Sequence, residues 1–174
     1  MSFRALIQFV LVAALVSGCG FHLRGKLPLP EQLKVIAVSS MDVELQEELV
    51  DALETSGAQV VSAEEARSLL DLYEVDFTRK VRTIDTRGKV NGYTLRYEVS
   101  YRVVNQEGEE LRDTTLALQR DYNFDPEQVL QAEEEEESLR EDMVSELTQR
   151  IMRQLVTIAG LSIELSLPGE RAAA

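Results

Sequence analysis

The chain has 174 residues, of which 44% are hydrophobic and 28% charged, and a formal net charge of −13. That length suits one domain with a real core. So acidic a chain lacks the basic footprint of a nucleic-acid binder and is repelled by anionic headgroups, so any hold on a membrane must come from a source other than overall charge.

Residues 1–18 read as a signal peptide and not as part of the fold. Met1 to Arg4 form a short, weakly positive start, Ala5 to Val16 an apolar run broken only by Gln8, and Val16-Ser17-Gly18 a small-residue approach to Cys19. The run is short of the roughly 20 apolar residues that a spanning helix needs. Val16 to Cys19 resembles the lipobox of bacterial lipoproteins, in which cleavage leaves the cysteine first and its thiol carries a diacylglycerol. Cys19 is the sole cysteine, so no internal disulfide is available to it. A single acyl chain anchors only marginally, and a diacylglycerol supplies two. Without residues 1–18 the chain loses Arg4, and its formal charge becomes −14.

Residues 19–31 read as a lipidated cysteine and linker, because Gly20, Gly25, Pro28 and Pro30 disfavour regular structure. Residues 32–160 read as one α+β domain. Leu33 to Val38 forms a first strand. Ser39, Ser40 and Asp42 offer helix caps, and Leu45, Leu49 and Leu53 then recur on one face of a helix that Gly57 ends. Val60-Val61 offers a further short extended piece.

The period then changes from four to two. Tyr73, Val75, Phe77, Arg79 and Val81 alternate with polar residues; Tyr93, Leu95, Tyr97, Val99, Tyr101 and Val103 do so more cleanly; Thr114, Leu116, Leu118, Arg120 and Tyr122 make a third set. Turn residues at Arg87-Gly88, Asn91-Gly92 and Asn105 to Gly108 separate them, predicting an antiparallel meander. Asp125-Pro126-Glu127-Gln128 opens a last helix, with Asp125 as cap, Pro126 at the first helical position and Gln128 closing a capping box. Leu139, Met143, Leu147, Ile151 and Leu155 carry it to about Ile158, and Gly160 ends it. Glu133 to Glu137, inside it, reads as a solvated face or a frayed first half of the helix. Residues 161–174 read as a tail without order.

The element order is β-α-β-β-β-α. A helix between the first two strands implies a crossover and a parallel pair. The prediction is a four-stranded mixed sheet with two helices on one face and a more polar face left open.

Catalytic and metal chemistry find little support. The single histidine, His22, lies in the linker, away from any scaffold that would fix its geometry. There is no cysteine pair, phosphate-binding glycine loop or nucleophile elbow. The expectation is a binding or scaffold protein with no cofactor beyond the lipid on Cys19. Its alternatives are an envelope-polymer hydrolase using a carboxylate pair, or a general scaffold that binds through its sheet edge. One cluster breaks the acidic background: Arg79, Lys80, Arg82, Arg87, Lys89, Arg96 and Arg102 face only Asp85 and Glu98 within that span. Such a patch suits phosphate or carboxylate groups, which arginine grips with paired hydrogen bonds; ordinary surface charge that protects sheet edges is the competing account.

The hexad Cys19-Gly20-Phe21-His22-Leu23-Arg24 resembles the start of the mature chain in the LptE family of outer-membrane lipopolysaccharide-assembly lipoproteins. The similarity continues through Lys34-Val35, the strand bearing Glu98, and Phe124-Asp125-Pro126 before the long last helix. The resemblance implies a non-enzymatic protein held inside the outer-membrane barrel LptD as plug and assembly partner, in contact with lipopolysaccharide. Gly20 after the cysteine, where Asp is absent, fits sorting to the outer membrane. On this reading Lys80, Arg82, Arg87, Lys89, Arg96 and Arg102 meet the phosphates of lipid A and the inner core. The acids Glu133 to Glu137 depart from the basic residues that relatives carry early in the last helix.

Overall fold

A computed structural model describes residues 29–164, with side chains to residue 158. The signal segment, Cys19, His22, most of the linker and the end of the tail therefore lie outside the described residues.

After a short 3₁₀ turn at Glu31–Leu33, the chain forms β1 (Val35–Ser40), α1 (Val43–Thr55), β2 (Gln59–Val60), β3 (Ser68–Ile84), β4 (Val90–Asn105), β5 (Glu110–Asn123) and α2 (Val129–Glu164). The strands make one sheet in the order β2-β1-β3-β4-β5. β1 runs parallel to β2 and β3, while β3, β4 and β5 form the expected antiparallel meander. The sheet thus has five strands and not four. The extra strand is the short extended piece at Val60, which is strand because Gln59 and Val60 pair with Val35 and Ile36.

α1 starts where Asp42 caps it, the Leu45 N–H donating to Asp42 Oδ1 at 3.0 Å. It ends at Thr55, just before Gly57, whose φ of +91° is a backbone state that a side chain disfavours. Leu45, Leu49 and Leu53 are fully buried against the sheet. So are Met143, Leu147, Ile151 and Leu155 of α2, and both helices share one core with Leu70, Leu95, Tyr97, Val99, Tyr101 and Val103. Four-residue spacing on the helices and alternation on the strands aim both sets at the same layer.

The β3 pattern differs from strict alternation. Leu72 pairs with Tyr101 and Glu74 with Ser100, so Tyr73 is an extra residue in a bulge. Leu70 and Leu72 face the helices before it, and Val75 and Phe77 face them after it. Tyr73 itself is 46% exposed on the opposite face, where its hydroxyl donates to Asp113 Oδ1 at 3.0 Å. The strand also starts five residues earlier than Tyr73, at Ser68, because β1 pairs along it.

α2 differs at both ends. Asp125 spends its side chain on a turn, accepting from the Glu127 N–H at 2.9 Å and from Gln128 Nε2 at 2.9 Å, and the first helical residue is Val129. Pro126 therefore precedes the helix. At the far end the helix passes through Gly160 to Glu164, four residues beyond the predicted domain boundary; a glycine weakens a helix by about 1 kcal/mol and does not by itself end one.

Candidate functional site

The helices leave one face of the sheet open. Strand register makes that face a series of cross-strand rows: Lys80, Thr94 and Asp121; Thr78, Arg96 and Gln119; Asp76, Glu98 and Ala117; Glu74, Ser100 and Thr115. A last row holds Asp71, Arg102 and Asp113.

The six predicted site residues are all exposed, and they separate into two places. Lys80, Arg82 and Arg96 lie on the half of the open face nearest the β3–β4 turn. Arg87 and Lys89 sit in the turn, which Asp85 shapes by accepting the N–H groups of Arg87 at 2.8 Å and Lys89 at 2.9 Å. Those bonds, the one from Lys89 first, hold the Asp85 carboxyl below the usual carboxylate range. Arg102 stands apart. It is six residues along β4 from Arg96, roughly 20 Å at strand spacing. Both Arg102 Nε and Nη2 bond Asp71 Oδ2, at 3.0 and 2.8 Å, and its guanidinium lies 5.7 Å from the Tyr73 ring centroid.

Most of this positive charge is already engaged. Arg82 bonds Asn123 Oδ1 at 3.2 Å and lies 3.8 Å from Asp121; Arg87 pairs with Asp85 at 3.2 Å; Arg96 pairs with Glu98. Among the described residues, Lys80 and Lys89 have no carboxylate partner. On the whole open face, Asp71, Glu74, Asp76, Glu98, Asp113 and Asp121 outnumber the cations Lys80, Arg82, Arg96 and Arg102. The net positive stretch along the chain is therefore not a positive face in space. It is a tip of mixed charge, where Asp85, Asp125 and Glu127 line the same recess as Arg87 and Lys89, and where Lys80 and Lys89 have no carboxylate within ion-pair distance.

A second charged group, of which the sequence pointed to Arg79 but to none of its partners, joins the helices to the covered face. Arg79 bonds Glu136 at 2.7 Å and lies 4.7 Å from the Tyr93 ring centroid. The Tyr122 hydroxyl donates to the same Glu136. One member of the Glu133 to Glu137 run is thus a half-buried anchor, while the other four are exposed as predicted. Arg120 pairs with Glu146, which Arg150 also holds at 2.7 Å; the bonds from Arg150 come first among the causes that lower the Glu146 pKa. Arg140 lies 3.1 Å from Glu44, 3.8 Å from Asp42 and 5.1 Å from the Phe77 ring centroid, so it ties α2 to α1 and β3. The sequence signal for Arg79 and Arg120 was their place among apolar residues of alternating strands. The acids that meet them lie on α2, far along the chain.

Among the described residues, no cluster of histidine, cysteine and carboxylates could hold a metal ion, and no helix is long and apolar enough to cross a membrane. The described chain is a long helix-backed sheet with a charged tip and an open polar face. The model of one family, LptE: Lipopolysaccharide-assembly, matches residues 31–155, which span all five strands and α2 as far as Leu155.

The chain belongs to the LptE family.

Known LptE proteins are similar over most of their length. The LPS-assembly lipoprotein LptE of Pectobacterium atrosepticum is 26% identical over 154 residues, covering 86% of this chain and 83% of that one. That of Photorhabdus laumondii is 26% identical over 169 residues, covering 91% and 88%. Among solved structures, rare lipoprotein B from Shewanella oneidensis superposes with a TM-score of 0.62 at 25% identity, covering 76% of this chain and 98% of that one. Lipoprotein B from Nitrosomonas europaea superposes with a TM-score of 0.69 at 24% identity, covering 87% and 99%, and shows the same fold. The family match begins at residue 31, so it stands on the folded domain and is independent of the hexad after Cys19.

Proposed function

We propose that this LptE-family chain is a lipid-anchored outer-membrane lipoprotein that sits inside a large β-barrel of the LptD type, helps that barrel assemble and takes part in passing lipopolysaccharide to the outer leaflet. The match of the family model across the whole folded domain carries the reading. The surface supports it. The lumen of an outer-membrane barrel is polar, and this domain presents it with a polar sheet face on one side and the charged outer sides of two helices on the other. Nothing in the role requires chemistry by the chain itself. Cys19, with its diacylglycerol, supplies the anchor.

Within this reading the phosphates of lipopolysaccharide meet the tip, through Lys80, Lys89, Arg87, Arg82 and Arg96. Arg102 belongs instead to the structural pair with Asp71. The reading is tested by extracting the tagged lipoprotein from membranes in mild detergent and identifying what co-purifies. A stoichiometric large β-barrel protein is expected; its absence from a well-extracted sample would refute the proposal.

A further inference from the structure

We infer that the outer edge of β3 between Glu74 and Val81 is a docking site for an extended segment of another polypeptide, in which apolar residues alternate with basic ones. β1 ends at Ser40, opposite Leu72, whereas β3 continues to Ile84. Beyond Leu72, β3 pairs on one side only, with β4. A strand edge in that state presents unpaired N–H and C=O groups to any chain that can lie beside it.

Four further observations favour an added strand. Val75 and Phe77 face the helix layer but are only half-buried, although the residues beside them on β4, Val99 and Tyr97, are fully buried. The line of β1 runs into this edge, and the residues just past its end are Met41, 93% exposed, and Val43, 67% exposed. Val81, at the far end of the stretch, is 55% exposed. On the open face Glu74 and Asp76 have no cation within ion-pair distance among the described residues, and Asp76 lies directly across from Glu98. A strand seated here would extend β1's line, cover Val75 and Phe77 with its apolar side, and set basic side chains against Glu74 and Asp76. The bulges at Tyr73 and Arg82 bend the strand on either side of this stretch and so mark its limits. Arg79 and Lys80 guard only its end.

The test uses the full mature chain in detergent and a labelled synthetic peptide of roughly eight residues that alternates valine with lysine, a length suited to strand addition. A second peptide of the same sequence carries N-methyl groups on alternate backbone amides. Binding is read by fluorescence anisotropy, and its location by amide hydrogen exchange. The proposal expects slowed exchange over Glu74 to Val81, loss of binding on N-methylation, and weakening of about tenfold in the exposed-residue variant Glu74→Lys/Asp76→Lys, since two cross-strand charge pairs are reversed. Equal binding of both peptides, protection elsewhere, no binding, or an unchanged affinity in the variant would each overturn it. So would a concentration-dependent dimer of the chain alone that the same variant abolishes, because the edge would then belong to a second copy.

Discussion

Tyr97 shows how one side chain joins three elements. Its hydroxyl donates to Asp42 Oδ2 at 2.6 Å, and Asp42 in turn caps α1 and lies 3.8 Å from Arg140 of α2. Burial first, then the bond to Asp42, raises the Tyr97 pKa far above its ordinary value. Hydrogen bonds to a charged group are worth about 1.5–3 kcal/mol, so Tyr97→Phe should lower stability by about 2 kcal/mol in urea unfolding. A loss below about 0.5 kcal/mol would show that water replaces the phenol without cost. At the tip, Arg87 and Lys89 are exposed and bear on no core contact. The double change Arg87→Glu/Lys89→Glu should weaken binding to purified lipopolysaccharide several-fold and flatten its salt dependence, with stability shifted by no more than about 0.5 kcal/mol. Unaltered binding would remove the tip from the ligand site.

At the scale of elements, the bulge in β3 governs which side chains reach the core. Tyr73 is the extra residue, and without it Leu72, Glu74 and Val75 would follow in simple alternation. Deleting Tyr73 should therefore leave a folded chain, losing the bond to Asp113 and some local twist. Deleting Asp76 should be far worse, because it puts Val75 and Phe77 on opposite faces of the strand. Circular dichroism and thermal melts of the two deletions distinguish these outcomes; equal damage from both would mean that the bulge is itself required. The apolar positions already held this phase break, Leu70 and Leu72 being out of step with Val75 and Phe77. Strict alternation carried back from Val75 places Tyr73 on the covered face, whereas the bulge turns it to the open one. The helices were easier to read. Leu45, Leu49 and Leu53, and Met143, Leu147, Ile151 and Leu155, are the buried stripes that their spacing predicts, since a helix keeps its period without help from neighbours. Helix ends were less legible: a proline near a start and a glycine near an end show what a helix tolerates, and packing sets where it stops.

For the molecule as a whole, the tyrosines report on folding at high pH. Burial pushes the Tyr101 phenol up to about 12, and burial with the bond to Glu136 does the same for Tyr122. A raised phenol pKa means that the folded chain keeps protons which the unfolded chain, titrating near pH 10, gives up. This contribution to stability is complete below that pH and falls as the pH climbs towards 12. Ultraviolet absorbance of tyrosinate should show Tyr97, Tyr101 and Tyr122 ionising only as the chain unfolds; smooth titration of all five tyrosines before unfolding would contradict their burial. The anchor can be tested at the same scale. The barrel proposed as partner would grip the folded domain, so a Cys19→Ser chain delivered to the periplasm should still co-purify with it. Failure to do so would show that the lipid does more than place the protein.

Period along the chain was sufficient for the α+β class, the meander, the parallel crossover and the apolar layer, because each depends on residues close in sequence. The hexad at Cys19 pointed to the family that the folded domain then matched independently. The charges were another matter. Arg79 to Arg102 looks like one basic patch in linear order, yet Asp71, Asp113 and Asp121 are brought to it by strand register, and Glu136 and Glu146 meet Arg79 and Arg120 across the helix layer. Coulomb forces act through space, and the pairing of distant strands decides which charges are neighbours.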